Sequence, residues 1–326
     1  MNVFKITLLL SLMAISPLCL SQTDSIPQKL TAYVADKFAA TRVLNVEFKT
    51  LAPYKFSSES AAGKLPESKV KNLFMANASV NGNFIVKKNW MLGANMTYRY
   101  LSSSIEKTDD VSGAINIEDN DFHYHTTSLN FTYITKLWNK PTFFTATVTV
   151  DGSENHFERI KGLATGTVLI TANAKTKLGL GLAGIIDPTS QVPVIPIVTY
   201  EHKFNNGWTL DFILPKHAYL KRNLLKNGRI SIGSEFESTN FYMYDFDEKN
   251  GTYEFRQIEV NSGFMYEQHL GGSFIATLKS GMKIIPNGRV FEKNESFDSY
   301  LFQAKPKPSF YLNLGISFNP FGKLFK

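Results

Sequence analysis

Residues 192–215, "VPVIPIVTYEHKFNNGWTLDFILP", form two alternating runs joined at Asn205-Asn206-Gly207. In the first run Val194, Pro196, Val198, Tyr200 and Phe204 share one parity, while Thr199, Glu201 and Lys203 share the other. In the second, Trp208, Leu210, Phe212 and Leu214 alternate with Thr209, Asp211 and Ile213. Period-2 alternation around an Asn-Gly turn is the signature of a β-hairpin. The apolar parity must face either a protein core or lipid.

The same pattern recurs from Val43 to the C-terminus with almost no helical periodicity. Leu44, Val46, Phe48 and Thr50 oppose Asn45, Glu47 and Lys49; Leu92, Ala94, Met96, Tyr98 and Tyr100 oppose Gly93, Asn95, Thr97 and Arg99. Phe144, Ala146, Val148 and Val150 oppose Thr145, Thr147 and Thr149. Phe310, Leu312, Leu314, Ile316 and Phe318 oppose Tyr311, Asn313, Gly315 and Ser317. Many runs last ten residues or more, matching the roughly 9 to 11 that a tilted membrane strand needs, where soluble strands end near 5 or 6.

The N-terminus places the chain outside the cytoplasm. Lys5 is the only charge before Gln22, "ITLLLSLMAI" (6–15) is apolar, and small residues follow at Cys19 and Ser21. This is a signal peptide, too short to span a membrane, with cleavage expected after Ser21. Cleavage removes the only cysteine, Cys19, and lowers the formal charge from +7 to +6. Cys19 as a lipidated first residue is the rival reading, disfavoured by Leu18 before it. No second apolar run is long enough for a membrane helix, and the mean hydropathy is −0.14. A membrane protein without helices must be a closed barrel, because only then are its backbone groups satisfied in lipid. The basic surplus is scattered, so a nucleic-acid partner is not expected.

Three features favour lipid over a soluble core. Trp90, Trp138 and Trp208 all sit beside short turns that parity places at one edge, as in an interfacial girdle. Tyr98, Tyr100, Tyr242 and Tyr244 are candidates for the opposite girdle. Strand lengths suit a membrane. The closing "SFYLNLGISFNPF" resembles the C-terminal strand by which outer-membrane barrels are recognised for assembly, although Gly322 to Lys326 follow it. Short turns at one end alternate with longer connections at 57–70, 102–120, 151–157, 187–192, 245–252 and 287–308. The reading is an all-β, antiparallel, up-and-down transmembrane barrel over 42–326. It has fourteen strands if 218–225 is one of them, with twelve as the even alternative. Residues 22–41 are a periplasmic lead-in or small plug. The expected partners are the outer-membrane bilayer and, during biogenesis, the barrel-assembly machinery.

The Pro-rich strand into "Y…W.LDF.LP", followed by a polar hairpin and a Tyr-rich strand, resembles an uncharacterised outer-membrane β-barrel family of Bacteroidetes, domain of unknown function 6268. The likeness spans most of the mature chain. It implies a fold and a location and supplies no catalytic residues.

The polar parity collects Glu47, Lys49, Arg99, Asp211, Glu235, Glu237, Glu259, Glu267, Lys279 and Lys283. Opposite signs on neighbouring strands predict either a self-neutralising network that holds the barrel's shape or the wall of a selective pore. "HYHTTS" (123–128) puts His123 and His125 on one parity without a third metal ligand, and no Ser-His-acid pattern for a hydrolase is evident. "DFDEKNG" (245–251) departs from a calcium loop at Lys249, where an oxygen ligand belongs. No cofactor and no enzyme activity are expected. The functional expectation is a porin-like channel for small solutes. The alternative is a non-conducting structural or interaction barrel whose loops meet partners.

Overall fold

The computed structural model describes residues 26–60, 63–108, 113–190, 192–244 and 251–321. The expected signal peptide and most of "DFDEKNG" lie outside these residues. The described chain begins with helix α1 (Ile26–Lys37) and a single 3-10 turn (Ala39–Thr41). Seventeen antiparallel strands follow. The first five are β1 (Leu44–Leu51), β2 (Tyr54–Ser60), β3 (Gly63–Val86), β4 (Trp90–Thr108) and β5 (Ile115–Leu137). Next come β6 (Lys140–Gly152), β7 (Phe157–Ala172), β8 (Thr176–Ile186), β9 (Val194–Lys203), β10 (Trp208–Leu214) and β11 (His217–Leu224). The last six are β12 (Gly228–Tyr244), β13 (Thr252–Gly271), β14 (Phe274–Ile284), β15 (Gly288–Glu292), β16 (Tyr300–Pro306) and β17 (Ser309–Phe318).

Three pairs of strands are continuous staves: β1 with β2, β14 with β15, and β16 with β17. Each successive stave pairs with the next. The ring closes where β1 lies between β3 and β17, with Val46 opposite Ala78 on one side and Ile316 on the other. The result is the expected fourteen-stave antiparallel barrel, and 217–224 is a stave in its own right. Closure leaves no unpaired sheet edge in the membrane.

The face of the ring follows the sequence parity. Leu129, Phe131, Phe144, Val148, Leu182, Leu314 and many other apolar side chains stand exposed on the outside, Val148 at 56% of its free surface. An apolar belt of this extent would be an aggregation surface in water and is the face a barrel turns to lipid. The apolar parity of the hairpin at 192–215 belongs to this belt. Tight turns join the staves at the end carrying both described termini, here the proximal end. Trp138 and Asn139 form one of them with positive φ at both residues (48° and 59°), the two-residue turn geometry that matches strand twist.

The distal end differs from expectation. The long connections foreseen at 57–70, 102–120 and 287–308 are mostly strand: β2 and β3 run to residues 60 and 63, β4 to 108, β5 from 115, and β15 and β16 occupy much of the third. Above the membrane both faces of a hairpin can be polar, so the lipid-imposed alternation fades although the pairing continues. Eight staves are therefore tall, and the six from β6 to β11 are short. The β5 edge above His125 and the β12 edge above Glu235 have no partner among the short staves. They lean together, with Phe122 and Phe241 ring centroids 5.7 Å apart and those of Tyr124 and Tyr242 6.2 Å apart. The tall staves thus close on themselves around an apolar cluster that includes Leu51, Phe56, Leu73, Met75, Leu101 and Phe241.

Candidate functional site

The barrel interior divides into two walls of different chemistry. On the wall made by β12 to β17 and β1, the charges singled out in the sequence are paired; Glu47, Lys49, Glu259 and Lys283 are buried, and Glu235, Glu237 and Lys279 are half-buried. Lys49 on β1 meets Glu237 on β12 at 2.5 Å, although those strands are not neighbours, so the pair bridges the bore. Lys279 contacts Glu235 at 3.3 Å and Glu47 at 3.9 Å. Lys283 and Glu259 lie 2.6 Å apart with side chains 1% and 0% exposed. Thr239 and Gln257 both donate to Glu259 (2.6 and 2.7 Å), Asn261 donates to Glu237 (2.9 Å) and Asn313 to Glu47 (2.8 Å). Carboxylates supplied with a cation and further donors can remain charged in a dry interior.

Nearer the proximal end, α1 lies inside the ring. Lys37 pairs with Glu201 on β9 and with Asp211 on β10 (3.0 Å), and Asp36 accepts from Arg229 on β12 (2.7 Å). Just after the helix, Arg42 donates to Glu267 (2.5 Å), Ser317 (2.8 Å) and the carbonyl of Ala35 (3.2 Å). Asn83 on β3 donates to Thr31 at 3.0 Å. These partners sit on staves around the ring, so the helix crosses the bore. Burial works against the charge on Lys37, but Asp211, Tyr33 and Glu201 hold its pKa above the usual lysine range. Burial, with the nearby carboxylates, pushes the Tyr33 phenol up to about 12. The helix buries only Pro27 and Ala35 completely, so its attachment is chiefly polar. Asp36, Lys37, Arg42, Glu201 and Arg229, with Lys221, which also meets Asp211 (2.5 Å), were not among the residues foreseen. Lys37 and Arg42 precede the first strand, where strand parity says nothing.

The other wall, β4 to β9, is lined by hydroxyls and amides. Thr97, Thr126, Asn130, Thr145, Thr147, Thr149, Thr165, Thr167 and Thr199 point inward and stay half-buried. They bond in a ladder: Ser128 with Thr149 (2.8 Å), Thr132 with Thr145 (3.1 Å), and Thr147 donating to Asn130 (2.8 Å). Arg99 belongs to this side, donating to Asn77 at 3.1 Å and to the carbonyl of Ser238 at 3.4 Å. The water-accessible part of the interior therefore follows the threonine wall, which the charge pattern alone did not reveal.

At the distal end this space is covered by a second ionic cluster. Arg159 pairs with Glu254 and with Asp187 (3.1 Å), Lys161 with Asp151 (2.5 Å), and Arg256 donates to the Thr189 carbonyl (2.9 Å). The connection after β8 is thereby tied to β13. Burial raises the Asp187 carboxyl, but the Thr189 amide and hydroxyl, with Lys161 and Arg159, hold it below its ordinary value. Tyr124 and Tyr242 both donate to Asp151 (2.8 and 3.0 Å). Tyr242 is 3% exposed and is not part of an outer girdle. It has outward parity on β12, but there the strand rises above β11 and is covered by β6 and β7. Tyr98 is exposed, and Trp90, Trp138 and Trp208 all stand at proximal turns, Trp138 at 81% exposure.

His123 and His125 pair with Tyr100 and Tyr98 on the outward face, the Tyr98 hydroxyl 2.6 Å from His123 Nδ1, whereas Ser128 pairs with Asn95 on the inward face. These groups lie on opposite sides of the sheet and do not form a catalytic set. Among the described residues no group of three or more His, Cys, Asp or Glu is placed to hold a metal ion.

The profile of a protein family described as "Domain of unknown function (DUF6268)" matches residues 86–319. No curated protein matches the chain. Among solved structures it is similar to an outer membrane channel from Pseudomonas putida F1 (10% identity, 85% of this chain and 95% of that one, TM-score 0.31). It is also similar to the Pseudomonas putida toluene transporter TodX (10% identity, 85% and 89%, TM-score 0.31). The outer membrane protease OmpT of Escherichia coli is a further match (9% identity, 84% and 96%, TM-score 0.30). Likenesses this distant bear on neither solute nor reaction.

Proposed function

The chain belongs to the DUF6268 family, a domain of unknown function, and on the geometry of its interior we propose that it is an outer-membrane channel for small polar solutes, closed in the conformation described. The proximal end, with its short turns and both described termini, faces the periplasm, and α1 is its plug. The observation that carries this reading is the half-buried threonine wall of β5 to β7, which retains solvent access while the Lys283–Glu259 pair opposite is almost wholly excluded from solvent. The passage runs along those hydroxyls, shut by α1 below and by the Arg159–Glu254–Asp187 cluster above. Hydroxyls exchange hydrogen bonds with water at little cost, so such a lining suits uncharged polar solutes and discriminates weakly between ions.

The contact of β5 with β12 across the distal bore favours a second reading, a non-conducting structural barrel. Conductance in planar bilayers separates the two. The full-length mature protein is expected to be mostly silent. A variant lacking residues 26–37 is expected to open steps with little preference between small cations and anions. Silence of the deletion variant, in a barrel shown to be folded, would assign the structural role.

A further inference from the structure

The proximal rim carries a charge pattern that neither the plug nor the passage uses. Exposed Lys88, Lys140, Lys175, Lys203 and Lys226 stand at five successive proximal turns. Among the described residues, the acidic side chains Asp36, Glu201, Asp211 and Glu267 at this end are already engaged in ion pairs. The distal rim is built differently. There Lys55 and Lys307 both meet Glu67 (2.7 Å each), and Lys293 meets Glu158 (2.5 Å). Among the described residues, those distal lysines meet carboxylates, whereas the five proximal ones face outward without an ion pair.

The lysines stand level with large apolar and aromatic groups. Trp138 and Leu225 project from the turns almost fully exposed, Phe204 and Leu270 are exposed beside other turns, and Arg222 lies over the Trp208 ring at 5.6 Å. A ring of cations on flexible stems just beyond a hydrophobic edge sits where a bilayer changes from acyl chain to headgroup. We infer that the proximal rim is a binding collar for the phosphate headgroups of anionic phospholipids in the leaflet it faces. The chemistry is that of several ammonium groups meeting phosphodiesters at a low-dielectric boundary, each contact adding attraction that falls with salt. The inference rests on membrane embedding alone and does not depend on conduction.

The test uses the mature protein with Trp90 and Trp208 changed to Phe, leaving Trp138 as the reporter. It is reconstituted in phosphatidylcholine vesicles containing brominated phosphatidylglycerol or, at equal mole fraction, brominated phosphatidylcholine. At low salt the brominated anionic lipid should quench Trp138 as if enriched about fivefold around it, the factor that one lysine contact of about 1 kcal/mol supplies. The excess should vanish at about 1 M salt, where the screening length is about 3 Å. Lys136, also exposed, and Lys140 lie two residues to either side of Trp138, and the excess should also vanish in a Lys136→Gln, Lys140→Gln variant whose heat-modifiable gel mobility matches the parent. Equal quenching by the two lipids in the parent would overturn the inference, as would an excess that survives both salt and loss of the lysines. Inorganic phosphate at constant ionic strength should leave the excess intact; if it abolishes the excess, the site takes soluble anions. Lysine-dependent binding to isolated cell-wall polymer, with equal quenching by the two lipids, would assign the rim to that polymer and also overturn the inference.

Discussion

Lys283→Met is expected to destabilise the barrel by about 3 to 5 kcal/mol, because it leaves the Glu259 carboxylate buried without its cation. The two groups lie 2.6 Å apart and are almost wholly excluded from solvent. Thr239 and Gln257 continue to donate to Glu259, but two neutral hydrogen bonds do not replace a charge in a dry interior. Adding Glu259→Gln to the first change should recover most of the loss, since the amide oxygen still accepts both hydrogen bonds and no charge remains to be neutralised. Reversible unfolding by urea in lipid vesicles measures both variants. A single variant within about 1 kcal/mol of the parent would mean that water reaches the pair, contrary to a sealed wall.

Two adjacent positions on β6 should respond unequally to the same substitution. Val148→Arg places a guanidinium on the lipid face near mid-strand and is expected to cost about 2 to 4 kcal/mol. Thr147→Arg points the same group into the threonine-lined interior and should cost less than about 1 kcal/mol, because its charge stays hydrated there. Thr147 is half-buried and hydrogen-bonded to Asn130, whereas Val148 is 56% exposed on the belt. Unfolding in vesicles reports both. Similar losses at the two sites would show that β6 does not separate lipid from water.

The barrel was legible in the sequence where lipid imposes a rule on every second residue. Val148 against Thr147, and Leu314 against Asn313, could be assigned to faces without coordinates, and the three tryptophans marked one rim. The rule lapses wherever lipid is absent. At 57–70 and 102–120 the strands continue into hairpins with polar residues on both faces, and they resemble loops. Tyr242 obeys the outward parity but is buried, because burial there depends on how far β12 rises above β11.

Opposite signs on nearby strands made the meetings of Lys279 with Glu235 and of Lys283 with Glu259 legible, but the pairing across the bore was not. Lys49 and Glu237 are separated by 188 residues and meet through the stagger and closure of the ring, which no local pattern encodes. Helix α1 left little signal, since "IPQKLTAYVADK" buries two small side chains and is held by charges whose partners lie far along the chain. The threonine ladder was visible as the polar parity of a strand. That it would stay solvated while the charged wall is sealed depends on what fills each side of the bore.

Cysteine accessibility reports this division of the interior. The only natural cysteine, Cys19, lies in the expected signal peptide, so Thr147→Cys and Asn313→Cys each introduce a single thiol on an inward position of one wall. In vesicles, a small charged methanethiosulfonate should modify Thr147→Cys slowly in the full-length protein and much faster once residues 26–37 are removed. Asn313→Cys should stay unreactive in both forms, because its position lies within the sealed ion-pair wall. Rapid modification of Asn313→Cys, with Thr147→Cys inert even without the helix, would mean that water follows the ion-pair wall and not the threonines.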